Sequence, residues 1–181
     1  VLYRHCLLLL TALLLSISAS RASLYDFSDE SLLPVSEKLK KKEYSRAREY
    51  ALQARPTVTR DFVLGVAAYR LEKWDEAERS LAGAADGFPL LGDFSLYYRA
   101  SALSSLSRFE EALQLLDRLG KEYPESPLVR SALLLSGDLL FRKGDYQGAL
   151  ESCRRYAEAY PAGNDTPKAL HRAAVCRERL G

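Results

Sequence analysis

The chain has 181 residues, enough for one domain or a short array of repeats. Apolar residues make up 48% and charged residues 28%, a balance that excludes a disordered or fibrous chain. The 26 basic and 24 acidic side chains leave a net charge of +2, too small for nucleic-acid binding through bulk charge. Two His and three Cys give almost no material for a His/Cys metal site. Met is absent, so Val1 is either an alternative start codon translated literally or a cut end.

Residues 1–22 read as a secretory signal. Arg4 and His5 precede an apolar run over residues 6–15, extended by Ser16 and Ile17. That run is too short to span a bilayer, which takes roughly 18 residues. Ser20 and Ala22 supply the small residues that signal peptidase needs and place cleavage before Ser23, with Ala19 and Ser20 as alternative sites. Tyr3, Arg4 and His5 before Cys6 exclude a lipidation motif. Cleavage removes Arg4 and Arg21 and leaves 24 basic against 24 acidic residues, a neutral mature chain. The expected compartment is a bacterial periplasm, with no stable membrane insertion after cleavage.

Beyond the signal, seven prolines punctuate runs rich in Ala, Leu, Glu and Arg, which are good helix formers. No run has the alternation or the β-branched enrichment of a strand. Ser126 before Pro127 and Thr166 before Pro167 each predict a capped helix start with Pro in the first position. The mature chain therefore reads as all-α. An aromatic followed three residues later by Ala occurs four times: Tyr44/Ala47, Trp74/Ala77, Phe109/Ala112 and Tyr146/Ala149. The aromatics are 30, 35 and 37 residues apart. Pro89, Pro124 and Pro161 stand fifteen residues beyond the last three aromatics, each behind another aromatic: Phe88, Tyr123 or Tyr160. Val35, Gly65, Ala100 and Gly137 stand nine residues before the four aromatics. Each unit reads as a helical hairpin. The small residue lets helices A and B approach, the aromatic opens helix B, and Pro ends the unit.

Leu64, Gly65, Trp74, Ala77, Leu81, Ala84 and Pro89 match in order the pattern of the tetratricopeptide repeat, which this chain resembles. Leu96, Ala100, Leu103, Phe109, Ala112, Leu116, Leu119 and Pro124 form a second match, and Gly137, Leu140, Gly144, Tyr146, Ala149 and Pro161 a third. The resemblance implies an all-α, right-handed superhelical solenoid. Its expected units are a degenerate first hairpin over 23–57, repeats over 58–91, 92–127 and 128–165, and a truncated repeat over 166–181. Leu170, Ala173, Ala174 and Leu180 would then be partly uncovered, so the chain is expected either to be a fragment that continues beyond Gly181 or to be a short protein whose last helix acts as a cap.

The stretches over residues 88–98, 123–128 and 144–150 are similar to the N-terminal helical region of soluble lytic murein transglycosylases. In that family a helical superstructure scaffolds a separate catalytic domain, whose Glu-Ser is followed by Gly-Leu-Met-Gln. Glu125-Ser126 and Glu151-Ser152 lack that continuation, since the chain has no Met. The resemblance therefore implies a noncatalytic arm. No catalytic, cofactor or metal residue is assigned. His171 is the single mature histidine, and the acid pairs Asp75-Glu76 and Glu110-Glu111 suit helix N-termini. The Lys38, Lys40, Lys41 and Lys42 run reads as a solvated face.

In repeats of this family the A helices line the concave surface. Carried over to this chain, the groove positions are Phe62, Val66, Tyr69 and Arg70, then Tyr97, Ser101 and Ser105. The later repeats add Leu134, Asp138, Phe141 and Arg142, then His171, Val175 and Arg179. Val66, Ser101, Asp138 and Val175 stand where chaperone-tail clamps carry Asn, which argues against that specificity. Aromatic and Arg residues together suit a protein or peptide partner, or a catalytic domain of the same polypeptide, with peptidoglycan a further candidate. Tyr69, Arg70, Phe141 and Arg142 are expected to contribute to one surface. Cys153 and Cys176 are either two buried free thiols or a disulfide between consecutive helices. The leading functional expectation is a periplasmic scaffold forming the arm of a lytic transglycosylase. The alternative is a free-standing adaptor for envelope assembly or division.

Overall fold

The computed structural model describes residues 32–181 apart from Phe88. The expected signal and its cleavage site lie outside the described residues. The described chain is all helical, with no strand among the described residues. Its helices are α1 (Leu33–Lys40), α2 (Tyr44–Gln53), α3 (Val58–Arg70), α4 (Trp74–Gly87) and α5 (Gly92–Ser105). They continue as α6 (Phe109–Glu122), α7 (Val129–Lys143), α8 (Tyr146–Ala159) and α9 (Thr166–Leu180), with a 3-10 turn at Pro89–Leu91 before α5.

Local chemistry sets the ends of these helices. Thr57 caps α3 by accepting from the Arg60 N–H at 3.1 Å, and Asp145 caps α8 by accepting from the Gly148 N–H at 2.9 Å. Two expected starts differ in detail. Ser126 does not cap a helix at Pro127; α7 begins at Val129, and the Ser126 hydroxyl accepts from the Leu128 N–H at 3.1 Å. The same hydroxyl donates to the buried Asp93 carboxylate at 2.5 Å, so tertiary pairing, not capping, directs this side chain. Thr166 lies inside the first turn of α9, and its hydroxyl donates to the Tyr160 carbonyl.

One turn geometry joins the helices of each hairpin. Lys42, Glu72, Ser107 and Gly144 all have positive φ, at 60°, 59°, 59° and 88°. Each stands two residues before its aromatic. The next backbone N–H reaches back five residues in every case: Glu43 to Lys38, Lys73 to Ala68, Arg108 to Leu103 and Asp145 to Leu140, at 2.9–3.0 Å. This closes a left-handed C-cap, for which only Gly144 is a strain-free residue.

Beyond the turn, A and B helices pack at close range. Ala47, Ala77, Ala112 and Ala149 are all fully buried. A Cβ on Gly65 would lie 2.5 Å from Leu81 Cγ, and one on Gly137 would lie 2.9 Å from Cys153 Sγ. The small residue at the crossing is therefore a steric necessity. The main core joins α3 to α7 through Leu81, Leu96, Leu103, Leu116, Leu119, Leu128 and Leu139. Val35, Leu39, Ala47 and Ala51 form a smaller cluster at the α1–α2 end, and Cys153, Tyr156, Ala169 and Ala173 one at the α8–α9 end. Consecutive helices touch throughout, and α1, α3, α5, α7 and α9 also touch one another in sequence. The molecule is an all-α solenoid whose odd-numbered helices form one continuous layer.

Candidate functional site

The layer of odd-numbered helices carries the predicted groove residues, and the structure sorts them into core, structural ties and surface. Phe62 and Val66 are only 4% and 8% exposed and pack into the main core, so neither presents a side chain to a partner. The physical reason is that α3 packs on α4 and both side chains join the core cluster that also holds Leu81 and Ala84 of α4. Ser101 and Ser105 donate back to the carbonyls of Tyr97 and Ser101 at 2.9 and 3.3 Å. Leu134 and Val175 are half-buried, while His171 and Arg179 are exposed on α9.

Tyr69 begins a line of rings. It meets Trp74 edge-on at 5.4 Å between centroids and Tyr98 at 5.0 Å, and Tyr98 meets Tyr97 at 6.0 Å. All four rings are half-buried, so each keeps an open edge. Pairs of this kind contribute about 0.5–1.5 kcal/mol beyond simple burial. Arg70 stands over the Tyr98 ring at 5.9 Å and donates to its hydroxyl at 3.5 Å. Burial pushes the Tyr97 phenol above its ordinary value, and the neighbouring Tyr69 adds to that.

Phe141 and Arg142 belong to different neighbourhoods. Phe141 meets Tyr146 at 5.4 Å and lies beneath Arg172, whose guanidinium carbon is 4.5 Å from the ring centroid. Arg172 also donates to Asp138 at 2.5 Å, so the predicted groove acid is engaged within the array. Arg142 lies over Phe109 at 4.6 Å and donates to the Ser104 hydroxyl at 3.1 Å. Both Arg70 and Arg142 thus reach toward α5. Tyr98 and Ser104, the residues they touch, are six positions or about 9 Å apart along that helix. Sequence reasoning missed Trp74, Tyr98 and Arg172 as site residues. Trp74 was legible only as a repeat marker. Tyr98 and Arg172 lie outside the family's groove register, and only their cross-helix contacts single them out.

Among the described residues no cluster of His, Cys, Asp and Glu is arranged to hold a metal ion. No described helix is long and apolar enough to cross a membrane. Cys153 and Cys176 are buried free thiols. Burial pushes the Cys153 thiol up to about 11, with Cys176 nearby adding to the shift.

The hairpin register now has an independent counterpart. The family model described as tetratricopeptide repeat matches residues 62–127 and 97–164, together more than half of the chain. The chain belongs to the tetratricopeptide repeat family. No curated protein matches it. Among solved structures, it is similar to MamA 41-end from Desulfovibrio magneticus RS-1, at 13% identity and a TM-score of 0.66. That match covers 87% of this chain and 97% of the other. MamA from AMB-1 is similar at 15% identity and a TM-score of 0.61, covering 81% and 90%. The Rap conjugation gene regulator of plasmid pLS20, solved with the Phr* peptide, is similar at 15% identity and a TM-score of 0.55. That match covers 90% of this chain and 56% of the regulator. At these identities the likeness is one of fold. It accounts for the tetratricopeptide hairpins.

Proposed function

We infer that this tetratricopeptide protein is an exported, noncatalytic scaffold whose odd-numbered helices dock an extended peptide or a neighbouring protein segment. The single observation that carries the reading is the half-buried line Trp74–Tyr69–Tyr98–Tyr97 with Arg70 beside it. Aromatic and Arg side chains held in fixed positions are the usual anchors of a protein interface. The peptide in the Rap regulator structure supports peptide docking as the kind of event this fold accommodates. Export rests on residues 1–22, with their short apolar run and small residues before Ser23. The narrower reading, an arm of a peptidoglycan lytic transglycosylase in the periplasm, rests on the stretches over residues 88–98 and 123–128.

The test is site-specific photocrosslinking in the source cell. A benzophenone side chain at Tyr98 should yield a discrete adduct, and Tyr69→Ala should abolish it. The same probe at Gln114, exposed on α6, should not yield that adduct. An identical adduct from both positions, or none at Tyr98, would refute docking on this layer. Recovery of the protein from the periplasmic fraction with Ser23 at its N-terminus tests export. A murein zymogram of the native gene product tests the transglycosylase reading separately.

A further inference from the structure

The two layers of the array differ in charge. Helices α3, α5 and α7 carry six Lys and Arg side chains and three acids, whereas α4 and α6 carry three basic side chains and eight acids. All three acids of α3, α5 and α7 are engaged. Asp61 pairs with Arg60 at 3.1 Å, Asp138 with Arg172 at 2.5 Å, and the buried Asp93 accepts from Ser126 at 2.5 Å. Four of the six cations are also paired. Besides Arg60, Arg99 meets Glu78 at 2.7 Å, Arg130 meets Asp165 at 3.8 Å and Lys143 meets Glu110 at 3.1 Å. The remaining two are Arg70 and Arg142. Both are exposed, and among the described residues no carboxylate forms an ion pair with either.

Neither is a loose side chain. Arg70 lies over the Tyr98 ring and donates to its hydroxyl, and Arg142 lies over the Phe109 ring and donates to the Ser104 hydroxyl. A guanidinium has five N–H donors, so each keeps donors for a carboxylate. Its planar fork is already oriented, which lowers the entropy lost when that carboxylate arrives. The α5 residues they touch are about 9 Å apart along the helix. An extended chain rises about 3.3 Å per residue and places alternate side chains on one face. Carboxylates two to four residues apart therefore bracket this separation.

The site lies inside the array, with α1 and α2 before it and α8 and α9 after it. Where helices of this chain stay together, the seam is closed by buried Leu and Ala. The ring face instead keeps half-buried tyrosines and exposed, uncompensated guanidiniums. That composition suits a surface which is solvated in one state and covered in another, as in reversible association with a separate polypeptide.

We propose that the ring-lined face of α3, α5 and α7 selects an acidic extended segment of a separate polypeptide, with one side-chain carboxylate on Arg70 and a second on Arg142. This rests on the docking reading above and specifies the chemistry of the partner. An apolar side chain of the segment lies against Tyr69, Tyr97 and Tyr98. Recognition is of side-chain carboxylates and needs no chain terminus, in keeping with Val66, Ser101 and Asp138 at the positions where chaperone-tail clamps carry Asn.

The probe is a bead-displayed library of random decapeptides, acetylated and amidated so that no terminal charge takes part, screened with the 181-residue chain. Selected peptides should carry two Asp or Glu residues two to four positions apart at least 5-fold above their frequency in the library, and added salt should weaken them. Arg70→Glu should replace the acid preference at one of these positions with Lys or Arg, and Arg142→Glu should do so at the other. Arg79→Glu, at an exposed position of α4, should leave the selection unchanged. All three arginines are exposed, so helicity and thermal unfolding should match the parent. Should Arg142→Glu fail to fold, Arg142→Gln must remove the acid preference at its position. Peptides whose binding Tyr69→Ala abolishes, but with no acidic enrichment, would overturn this proposal and leave docking on the rings standing. Recovery of no such peptide would overturn both. An acid preference that survives both Arg70→Glu and Arg142→Glu would overturn the proposal as well. The native gene product, purified without partners, should bind a selected peptide as tightly as the 181-residue chain does. Binding weakened 10-fold or more would put a segment of the same polypeptide on the site and overturn the proposal too.

Discussion

Replacing Gly65 with Ala isolates the steric demand of one helix crossing. Ala is the better helix former by about 1 kcal/mol, so an unhindered site would gain stability. At Gly65 the new methyl would lie 2.5 Å from Leu81 Cγ, 2.9 Å from Leu81 Cδ2 and 3.3 Å from the Leu81 backbone nitrogen. Leu81 is fully buried, so its side chain has nowhere open to turn. The helices must therefore separate by several tenths of an ångström, and overpacking of this kind costs about 1–3 kcal/mol. The net expectation is a loss of about 1 kcal/mol. Gly83 in α4 is the internal control, because a Cβ there meets nothing within 4 Å. Gly83→Ala should stabilise the protein by about 0.5–1 kcal/mol. Urea unfolding followed by circular dichroism measures both variants. The double variant Gly65→Ala/Leu81→Ala should show a coupling of about 1 kcal/mol, since the second change removes the obstacle. If Gly65→Ala stabilises as much as Gly83→Ala, the crossing is not limited by Gly65 and the packing argument fails.

Four further outcomes follow from local geometry. Glu72→Gly and Ser107→Gly should each raise stability by about 0.5–1 kcal/mol in urea titrations, because both residues occupy a left-handed turn position that Gly adopts freely. Ser126→Ala should lower stability by about 1–3 kcal/mol, since the buried Asp93 carboxylate loses a donor; restoring the hydroxyl with Thr should recover part of the loss. Arg99 donates to Glu78 Oε1 through Nε at 3.0 Å and Nη2 at 2.7 Å, and the Glu78 side chain is 11% exposed. Arg99→Ala should cost about 2 kcal/mol, and adding Glu78→Gln should recover part of it in a double-mutant cycle. The Cys153 thiol lies at about 11 when folded against 9.0 as its ordinary value, so folding favours the protonated form. That contribution is complete below about pH 9 and falls by about 1.4 kcal/mol per pH unit up to pH 11. Urea midpoints of the parent and Cys153→Ala should converge between pH 8 and 10.5, and parallel curves would refute the reading.

Much of the architecture was legible in the order of residues. The aromatic–Ala pairs, the small residue nine positions earlier and the punctuating prolines mark the hairpins, because a close crossing admits only small side chains and Pro cannot continue a helix. Ala47, Ala77, Ala112 and Ala149 are buried for that reason. The left-handed turn was hidden in three of four hairpins, where Lys42, Glu72 and Ser107 replace the glycine that signals it. There the five-residue backbone bond outweighs the local preference.

Tertiary structure alone decided which groove positions face outward. Helical spacing puts Phe62 and Tyr69 on the same face of α3, yet Phe62 is buried in the main core while Tyr69, half-buried, meets Trp74 and Tyr98. A repeat motif records how each hairpin closes on itself. It carries no record of the side-chain reach between hairpins, which depends on the relative placement of helices distant in sequence. Arg172 on Phe141 and Arg142 on Phe109 are contacts of that second kind. The order of amino acids determined an all-helical solenoid because close packing within a hairpin constrains residues only a few turns apart. The surface it offers a partner emerged only when α3, α5, α7 and α9 stood side by side.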